Sequence, residues 1–240
     1  KVQALIMSER KTIEQMKQEF QFMLSKVSHE IRNPVTLINS YLQFIEKAHP
    51  EVADYEYWDD ILDQMDFLMK LLDELSLYNS SGKLSREPVY ISSYLEKLTK
   101  ELTPICEYLG ICLTCDNSAL DGDVLLSLDI LKIHQALLNL IRNAGESMDK
   151  KGTIHISTRR EDNALCIQIQ DDGCGIEEEY LPTLFEPFVT HKKSGTGMGL
   201  AIVQQVMQAH GGSVKVSSCL SKGSIFTLSF PLKAVSDDTE

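Results

Sequence analysis

The spacing of the apolar residues changes once along the chain, near residue 80, and this change limits what the chain can fold into. Before that point apolar residues recur three and four positions apart in two long runs, at 13–45 and 58–75. This spacing is typical of helices that carry a narrow apolar stripe. His49 and Pro50 separate the two runs. The pattern therefore predicts a helical hairpin within residues 1–85.

A single hairpin covers only one side of each apolar stripe, so part of its apolar surface stays in contact with water. Two hairpins can cover the remainder when they pack together as a four-helix bundle. We therefore predict that the chain forms a homodimer through this region.

After residue 85 the apolar residues follow a different pattern. Short segments alternate apolar and polar residues, as strands with one buried face do, and helical patterns are interleaved with them. The strand patterns lie at 154–157, 165–169 and 224–228, and the helical patterns at 92–109, 129–148 and 200–210. The polar cluster 79–82 is typical of a linker. We predict an α/β sandwich, a mixed sheet layered with helices, over residues 86–240.

The charge of the chain limits its partners. It carries 23 basic and 35 acidic residues, a formal net charge of −12. Bulk attraction to nucleic acid or to an anionic membrane requires the opposite sign, so we predict neither partner, and any phosphate must be bound by local groups. Six cysteines scattered over 240 residues suit a reducing, cytoplasmic setting. The first residue is Lys1 rather than methionine, so we expect a fragment of a longer protein, whose absent N-terminal part is where a membrane anchor would lie.

His29 has the surroundings of a reactive histidine. At about 100° per residue it lies two steps from both Val27 and Ile31 of the apolar stripe, which places it in water. A lone exposed histidine is usually only a solvated side chain. Here Pro34 follows in the same helix and removes the amide that would bond to the carbonyl of Glu30. A proline in a helix interior destabilises the helix by about 3 kcal/mol. Such an unfavourable residue one turn from His29 indicates that the helix bends there.

The neighbours of His29 suit nucleophilic chemistry on its imidazole. Glu30 can accept the proton from one ring nitrogen, which leaves the other nitrogen to attack. Asn33 lies four residues on, on nearly the same face, where its amide can orient a water or a transferring group. We give Arg32 no role beyond that of a surface charge.

A helix near residue 140 carries candidate ligands for a phosphate and a metal ion. Its apolar stripe includes Leu137 and Ile141, and the spacing puts Asn139 and Asn143 together on the other side. Amide oxygens can hold a hydrated Mg²⁺, and Arg142 beside them can meet a phosphate. The alternative is that these residues form only the wet face of the helix.

Two glycine-containing segments complete a candidate nucleotide pocket. Asp171 ends an alternating strand, and its carboxylate can accept a hydrogen bond from an exocyclic amine such as that of adenine. Gly173 and Gly175 follow and let the backbone approach a flat base. The segment 195–200 opens a helix whose free amides suit phosphate, and Lys192 before it adds positive charge. Its GxGxG spacing differs from the GxGxxG of dinucleotide sites, and no GxxxxGK[ST] loop is present.

Five segments in this order resemble the motif boxes of sensor histidine kinases of two-component systems. They are the H box (HEIRNP, 29–34), the N box (NLIRNA, 139–144), the G1 box (DDGCGI, 171–176), the F box (FEPF, 185–188) and the G2 box (GTGMGL, 195–200). The chain is similar to the cytoplasmic catalytic core of such a kinase, with a likeness to the sporulation and nitrogen-regulation types. The resemblance implies a HisKA-type dimerisation and phosphotransfer domain, whose residues 1–22 transmit the signal, followed by a GHKL-type ATP-binding domain of Bergerat fold.

The resemblance also implies a reaction. His29 would attack the γ-phosphorus of ATP with Glu30 as general base, and the phosphoryl group would pass to an aspartate in the receiver domain of a response regulator. Asn33 matches a position that can orient water to dephosphorylate that regulator. Asn139 and Asn143 would hold Mg²⁺, and residues 189–196 would form a lid. The residues implied in binding ATP are Asn139, Arg142, Asn143, Asp171, Gly173, Gly175, Ile176, Phe188, Lys192, Gly195, Thr196, Gly197, Met198, Gly199, Leu200 and Ser224.

Three other functions are kept as alternatives. A dimeric ATPase would use lid motion for conformational work. Related hydrolases place a general-base glutamate four residues before the metal-binding asparagine, whereas Asn139 occupies that position here, and an amide is a poor base. A degenerate kinase would serve only as a dimerisation scaffold, but Asn143 and the lid glycines are present. A phosphatase-dominated enzyme stays open because Glu30 and Asn33 serve both directions.

Overall fold

The computed structural model describes residues 2–79, 84–120, 122–148, 151–161, 163–192 and 195–232, with side chains from residue 23 onward. The chain divides into two compact units. One comprises Lys1–Gly82 with His191–Met198, and the other comprises Lys83–Thr190 with Gly199–Glu240. Apart from Asn79, the predicted linker at 79–82 lies outside the described residues. None of the described helices is long and apolar enough to cross a membrane.

The first unit contains a hairpin of two long helices, as the apolar spacing predicts. Helix α1 spans Val2–Ala48 and helix α2 spans Trp58–Asn79, with a short 3₁₀ helix at Pro50–Asp54 between them. Pro50 starts that turn because its fixed φ suits the first position of a helix and its ring cannot continue α1. The helices pack through a small core formed by Val35, Met65 and Leu72, with Leu42, Leu68 and Met69 packed against it.

Much of the apolar stripe of α1 stays exposed in the single chain. Val35 is 6% exposed, whereas Ile31 is 43% and Ile38 is 50% exposed. Within one hairpin, the prediction of a buried stripe is therefore correct only for positions that face α2. The exposed residues on one face of α1, which we call the α1 stripe, are Val27, Ile31, Ile38 and Ile45.

The second unit is a layered α/β domain, and this fold class was predicted. Its helices begin and end within two residues of the predicted bounds. Its elements are β1 (Glu87–Tyr90), α3 (Ile91–Tyr108), β2 (Ile111–Asp116), β3 (Leu125–Leu128), α4 (Ile130–Glu146), β4 (Gly152–Glu161), β5 (Ala164–Asp171), a 3₁₀ helix (Glu178–Thr183), α5 (Gly199–Ala209), β6 (Ser213–Ser218) and β7 (Ser224–Pro231).

The strands form one mixed sheet and one separate pair. The five-stranded sheet has the order β2-β4-β5-β7-β6, in which β2 and β4 are parallel and the other neighbours are antiparallel. Strands β1 and β3 pair with each other apart from it. One face of the sheet is buried, as the alternation along β7 shows: Phe226, Leu228 and Phe230 are buried. The buried apolar residues of α4 and α5 belong to the same domain core.

A buried polar link joins the end of α5 to the start of α4. His210 is 5% exposed; its Nδ1 donates to the carbonyl of Val206 at 2.8 Å, and its Nε2 accepts the backbone amide of Asp129 at 3.0 Å. These two bonds require the neutral ring with its proton on Nδ1. Burial lowers the pKa of His210. Asp129 in turn caps α4 by accepting the amide of Lys132 at 3.3 Å.

Candidate active site

The His29 turn, residues 28–34 of α1, presents three polar side chains to solvent. His29, Glu30 and Asn33 are exposed. Ser28 is only 2% exposed and donates a hydrogen bond of 2.7 Å to the carbonyl one turn earlier in the helix. His29 and Asn33 are four residues apart and lie on one face. An exposed imidazole beside a carboxylate can act as a nucleophile or carry a proton.

Pro34 lies inside this turn without ending the helix. Helix α1 continues to Ala48, although Pro34 has no N–H to donate to the carbonyl of Glu30. The ladder of helical hydrogen bonds is therefore one bond short in the turn that follows His29. The turn for which Pro34 predicts a bend lies within a continuous helix.

Arg32 is more than the surface charge that the sequence suggested. Its guanidinium forms an ion pair with Asp73 of α2. Its Nη2 also donates to the carbonyl of Leu72 at 2.8 Å and to Oγ of Ser76 at 3.0 Å. The sequence interpretation was wrong because spacing along α1 says nothing about which residues of α2 lie opposite.

Asn139 is buried, which rules out for this residue the alternative that it lies only on the wet face of α4. It is 7% exposed and faces the start of α5, where its Nδ2 donates to the carbonyl of Gly199 at 3.3 Å. Its Oδ1 accepts a hydrogen bond from Arg142 at 3.1 Å. Helix α4 is covered both by the sheet and by α5, so fewer of its sides face water than one apolar stripe suggested. Asn143, one turn on, is half-buried.

Asp171 lies at the end of β5 in a buried cluster. It is 4% exposed, and its Oδ1 accepts the amides of Gly173 at 3.0 Å and Ser224 at 3.2 Å. The hydroxyl of Ser147 lies 3.3 Å from the same oxygen. Oδ2 accepts no hydrogen bond from the residues that the structure describes. Burial raises the pKa of Asp171, against the opposing effect of these hydrogen bonds.

The glycines beside Asp171 are required by the packing of the protein itself. A Cβ on Gly173 would lie 1.9 Å from Oγ of Ser147, and one on Gly175 would lie 2.1 Å from the carbonyl oxygen of Cys219. Gly175 also has a positive φ of 72°. The sequence interpretation attributed both glycines to the approach of a flat base. The structure gives them a second reason, because two chain segments touch at each.

Ser224 bonds to Asp171 directly, and Ile176 is linked to Ser224 through the hydroxyl of Ser218. The amide of Ile176 donates to Oγ of Ser218 at 2.8 Å, and the hydroxyls of Ser218 and Ser224 are 2.9 Å apart. Ser224 is 4% exposed. Its amide donates to Asp171, and its hydroxyl is hydrogen-bonded to the hydroxyl of Ser218. We call Ser147, Asp171, Gly173, Gly175 and Ser224 the Asp171 pocket.

The segment 195–200 leads into α5, which begins at Gly199. Gly197 has a positive φ of 70°, a conformation that glycine adopts without strain. Met198 is fully buried, and its backbone amide donates to Oγ1 of Thr196 at 3.3 Å. Gly195 and Leu200 are half-buried.

The predicted lid, residues 189–196, includes 193 and 194, which lie outside the described residues. Lys192 is exposed, and Phe188 before it is 54% exposed with a positive φ of 66°. Within the first unit, the hydroxyl of Thr196 donates a hydrogen bond to the carboxylate of the buried Glu74. Thr196 therefore has a protein partner in this structure in addition to its predicted place in the nucleotide site.

Sequence reasoning missed Ser147, which connects the end of α4 to Asp171. It caps α4 and donates to the carbonyl of Ala144 at 2.7 Å. A signal was present, because Ser147 lies four residues after Asn143 and hence on the same face of the helix. The structure thus joins Asp171 and Ser147 in one group, and Asn139, Arg142 and Gly199 in another.

Two domain families account for most of the chain. Residues 128–234 match the family described as Histidine kinase-, DNA gyrase B-, and HSP90-like ATPase, and residues 21–82 match the His Kinase A (phospho-acceptor) domain. The chain belongs to the histidine kinases. Its phospho-acceptor match contains the His29 turn, and its ATPase match contains Asn139 and the Asp171 pocket.

This histidine kinase core is similar to named kinases. It is 31% identical over 220 residues to the signal transduction histidine-protein kinase AtoS of Escherichia coli, covering 90% of this chain and 36% of AtoS. Full-length ShkA in complex with AMPPNP has a TM-score of 0.69 at 25% identity, over 87% of this chain and 45% of ShkA. Histidine kinase ThkA in complex with the response regulator TrrA has a TM-score of 0.63 at 24% identity, over 87% of this chain and 60% of that chain. The chain thus spans about a third of the length of AtoS.

Proposed function

We propose that the chain is an ATP-dependent protein histidine kinase core. It phosphorylates its own His29 and then transfers the phosphoryl group to an aspartate in the receiver domain of a response regulator. Residues 1–85 serve dimerisation and phosphotransfer, and residues 86–240 bind ATP. The observation that carries the proposal is the pairing, in one chain, of an exposed His29–Glu30 turn with a buried carboxylate, Asp171, that keeps one oxygen for a ligand.

Asp171 is proposed to recognise adenine. The amides of Gly173 and Ser224 donate to Oδ1, and the hydroxyl of Ser147 lies 3.3 Å from the same oxygen, so the geometry leaves Oδ2 to accept the exocyclic amine of the base. Because the carboxylate is buried, this hydrogen bond is shielded from water and is stronger than on a surface. A charged acceptor also discriminates against a base that offers a carbonyl there, since two acceptors would then face each other.

Asn139, Arg142 and Asn143 are proposed to face the phosphates and Mg²⁺. The described residues contain no cluster of three or more His, Cys, Asp or Glu side chains that could hold a metal. Amide oxygens from one helix are few but hard donors, and such a set fits a Mg²⁺ that keeps waters and is held mainly by nucleotide phosphates. When bound, Mg²⁺ would neutralise charge that develops on the phosphates.

The start of α5 supports the same phosphates. The backbone amides that begin a helix lack helical partners and attract anions, and Gly199 and Leu200 occupy these positions in α5. A Cβ on Gly199 would lie 3.5 Å from the guanidinium of Arg142, so the helix start and this cation are neighbours. Lys192 adds an exposed positive charge to the lid. These local groups explain how a chain of net charge −12 can hold a triphosphate.

His29 is proposed as the nucleophile. One ring nitrogen attacks the γ-phosphorus, a nitrogen–phosphorus bond forms, and the bond to the bridging oxygen breaks so that ADP leaves. Glu30 accepts the proton from the other ring nitrogen. A carboxylate of the response regulator then attacks the phosphoryl group, and the imidazole of His29 leaves. Asn139 in place of a general-base residue disfavours the competing attack of water on ATP.

A second candidate activity is dephosphorylation of the same regulator. Asn33 is exposed and lies on the face of His29, where its amide could orient a water toward a regulator phosphoaspartate. Kinase and phosphatase activities would then share the His29 turn.

The α1 stripe supports homodimerisation. Its four branched apolar residues are each at least 42% exposed in the single chain, and such a continuous apolar face on a hairpin is covered when two hairpins form a bundle. We propose a cytoplasmic setting for this core, in line with its six free cysteines.

The test is labelling with ATP marked at the γ-phosphate, with Mg²⁺ present. The wild-type chain should take up close to one phosphate per chain, in an adduct that is labile in acid and stable in alkali. His29→Gln should take up none, while its nucleotide affinity stays unchanged. Steady release of phosphate without labelling would instead favour the ATPase alternative.

A further inference from the structure

Arg32 connects the phosphoacceptor helix to one turn of its neighbour. It lies three residues after His29 and reaches three groups within residues 72–76 of α2. These are the carboxylate of Asp73, the carbonyl of Leu72 at 2.8 Å and Oγ of Ser76 at 3.0 Å. The planar guanidinium can satisfy such a set because its donors point in fixed directions, which a lysine ammonium cannot reproduce.

The contact spans the turn where α1 has one backbone hydrogen bond fewer. Pro34 cannot donate to the carbonyl of Glu30, so the helix is less restrained at residues 30–34 than elsewhere. Arg32 lies in the middle of that turn. Its side chain is 25% exposed, so most of it is packed against the hairpin rather than extended into water.

The contact contributes little to folding stability, so its main effect is on the geometry of the hairpin. Asp73 is 59% exposed, and an exposed ion pair contributes only about 0–1 kcal/mol. The bond to the Leu72 carbonyl is different because it fixes the guanidinium to the backbone of α2. A contact of this kind adds little to folding but sets how α1 is rotated against α2.

We propose that Arg32 is a positioning residue for phosphorylation of His29. It holds the proline-weakened turn of α1 in a fixed rotation against residues 72–76 of α2, and so fixes the direction in which the imidazole points. This inference rests on the proposed function, since it concerns the same histidine. Loss of Arg32 lets the turn rotate or bend, so the imidazole is aligned with the phosphorus for a smaller part of the time.

The matched control is Lys26. It is an exposed cation on α1, three residues before His29 rather than three after, and it has no hydrogen bond or ion pair with any residue that the structure describes. Lys26→Ala therefore removes one positive charge at the same distance from His29 along the helix, and it leaves the contact with α2 intact.

The experiment compares Arg32→Ala, Arg32→Lys and Lys26→Ala with the wild type in γ-phosphate labelling, as a function of ATP concentration. Misplacement of a reacting group by about 1 Å can cost on the order of 100-fold in rate. We expect Arg32→Ala to lower the rate at saturating ATP at least about tenfold, with the KM for ATP and the measured ATP affinity unchanged. The labelling rate of Arg32→Lys should lie between those of Arg32→Ala and the wild type, and the rate of Lys26→Ala should match that of the wild type.

Three controls keep the outcome decisive. Wild type and His29→Gln establish whether labelling occurs at His29 at all, so a failure of the proposed function is seen separately from a failure of this inference. The thermal midpoint and the mass in solution are measured for each variant. If Arg32→Ala unfolds or loses dimerisation, Arg32→Lys and Ser76→Ala replace it, and both should slow labelling with the fold retained.

Two results would overturn the proposal. One is an Arg32→Ala rate within twofold of the wild type, or, where that variant does not fold, wild-type rates for both Arg32→Lys and Ser76→Ala. The other is a loss in Arg32→Ala that appears as a higher KM for ATP at unchanged maximal rate, since Arg32 would then act on nucleotide binding.

Discussion

The His29 turn and the Asp171 pocket differ in how they are built. The His29 turn consists of neighbouring residues on one helix, with His29, Glu30 and Asn33 exposed. The Asp171 pocket brings together the end of α4, the end of β5 and the start of β7, and its polar atoms are mostly buried. An exposed turn relies on local spacing, whereas a buried pocket relies on packing between distant segments. Substitutions that add bulk should therefore lower stability strongly in the pocket, whereas substitutions in the turn should lower it weakly.

The largest effect on stability is expected at Gly175. An alanine there would be strained by the positive φ and would place Cβ 2.1 Å from the carbonyl oxygen of Cys219. We expect Gly175→Ala to lower the free energy of unfolding by about 3 kcal/mol, measured by urea unfolding. Gly211→Ala is the matched control: Gly211 has a φ of 75° and no atom within 4 Å of a Cβ, so it should lose only about 1 kcal/mol. Equal losses in the two variants would contradict the close packing of the pocket.

The next effect separates function from stability at Asp171. Asparagine keeps an oxygen for the amides of Gly173 and Ser224 but removes the charge that we propose for adenine recognition. We expect Asp171→Asn to weaken ATP binding by about 10- to 100-fold in calorimetry, as for loss of a hydrogen bond to a charged group.

The free energy of unfolding of Asp171→Asn should not fall along with its affinity for ATP. Burial raises the pKa of Asp171, so the folded protein holds the proton more tightly than the unfolded chain does, and the ionised form at neutral pH opposes folding. Asp171→Asn removes that charge and should not lower the free energy of unfolding. A variant that unfolds more easily and still binds ATP normally would show that Asp171 has a structural role only.

A smaller, pH-dependent effect is expected from His210. Burial lowers its pKa, so the folded state keeps the ring neutral while the unfolded chain takes up a proton near the usual value of 6.5. The stability that depends on the neutral ring is complete above that pH and declines as the pH falls below it, until the pKa of the folded state is reached.

Charged groups around the ring also affect the protonation of His210. Arg86 and Lys132 disfavour a proton on His210, and Asp129 favours it. Urea unfolding between pH 7.5 and 5.0 should show a steeper loss for the wild type than for His210→Asn. If the free energy of unfolding changes with pH equally in the two proteins, the folded state does not hold the His210 ring neutral.

The sequence predicted the elements of both regions well and their contacts poorly. The three- and four-residue spacing located α1, α2 and the helices of the ATP-binding domain, because an amphipathic helix shows its period in a single run. It missed β6, and it missed the pair β1 and β3, whose strands have only four residues each. Strands that short contain too few repeats for a period of two to be seen.

The errors at individual residues have one physical origin. The contact of Asn139 with α5 was not predicted because its partner, Gly199, is 60 residues away along the chain. Arg32 was taken for a surface charge because its partners lie 40 to 44 residues further on. Ser147 was missed although its spacing from Asn143 offered a signal. Spacing within one element shows which side chains share a face, but it does not show what that face meets.

The central claim is that His29 receives the γ-phosphoryl group of ATP. The most direct measurement is labelling of wild type and His29→Gln with ATP marked at the γ-phosphate, followed by acid and alkali treatment of the labelled protein. We expect an acid-labile, alkali-stable label in the wild type and none in His29→Gln, with equal nucleotide binding by both. Equal labelling of the two chains would contradict it.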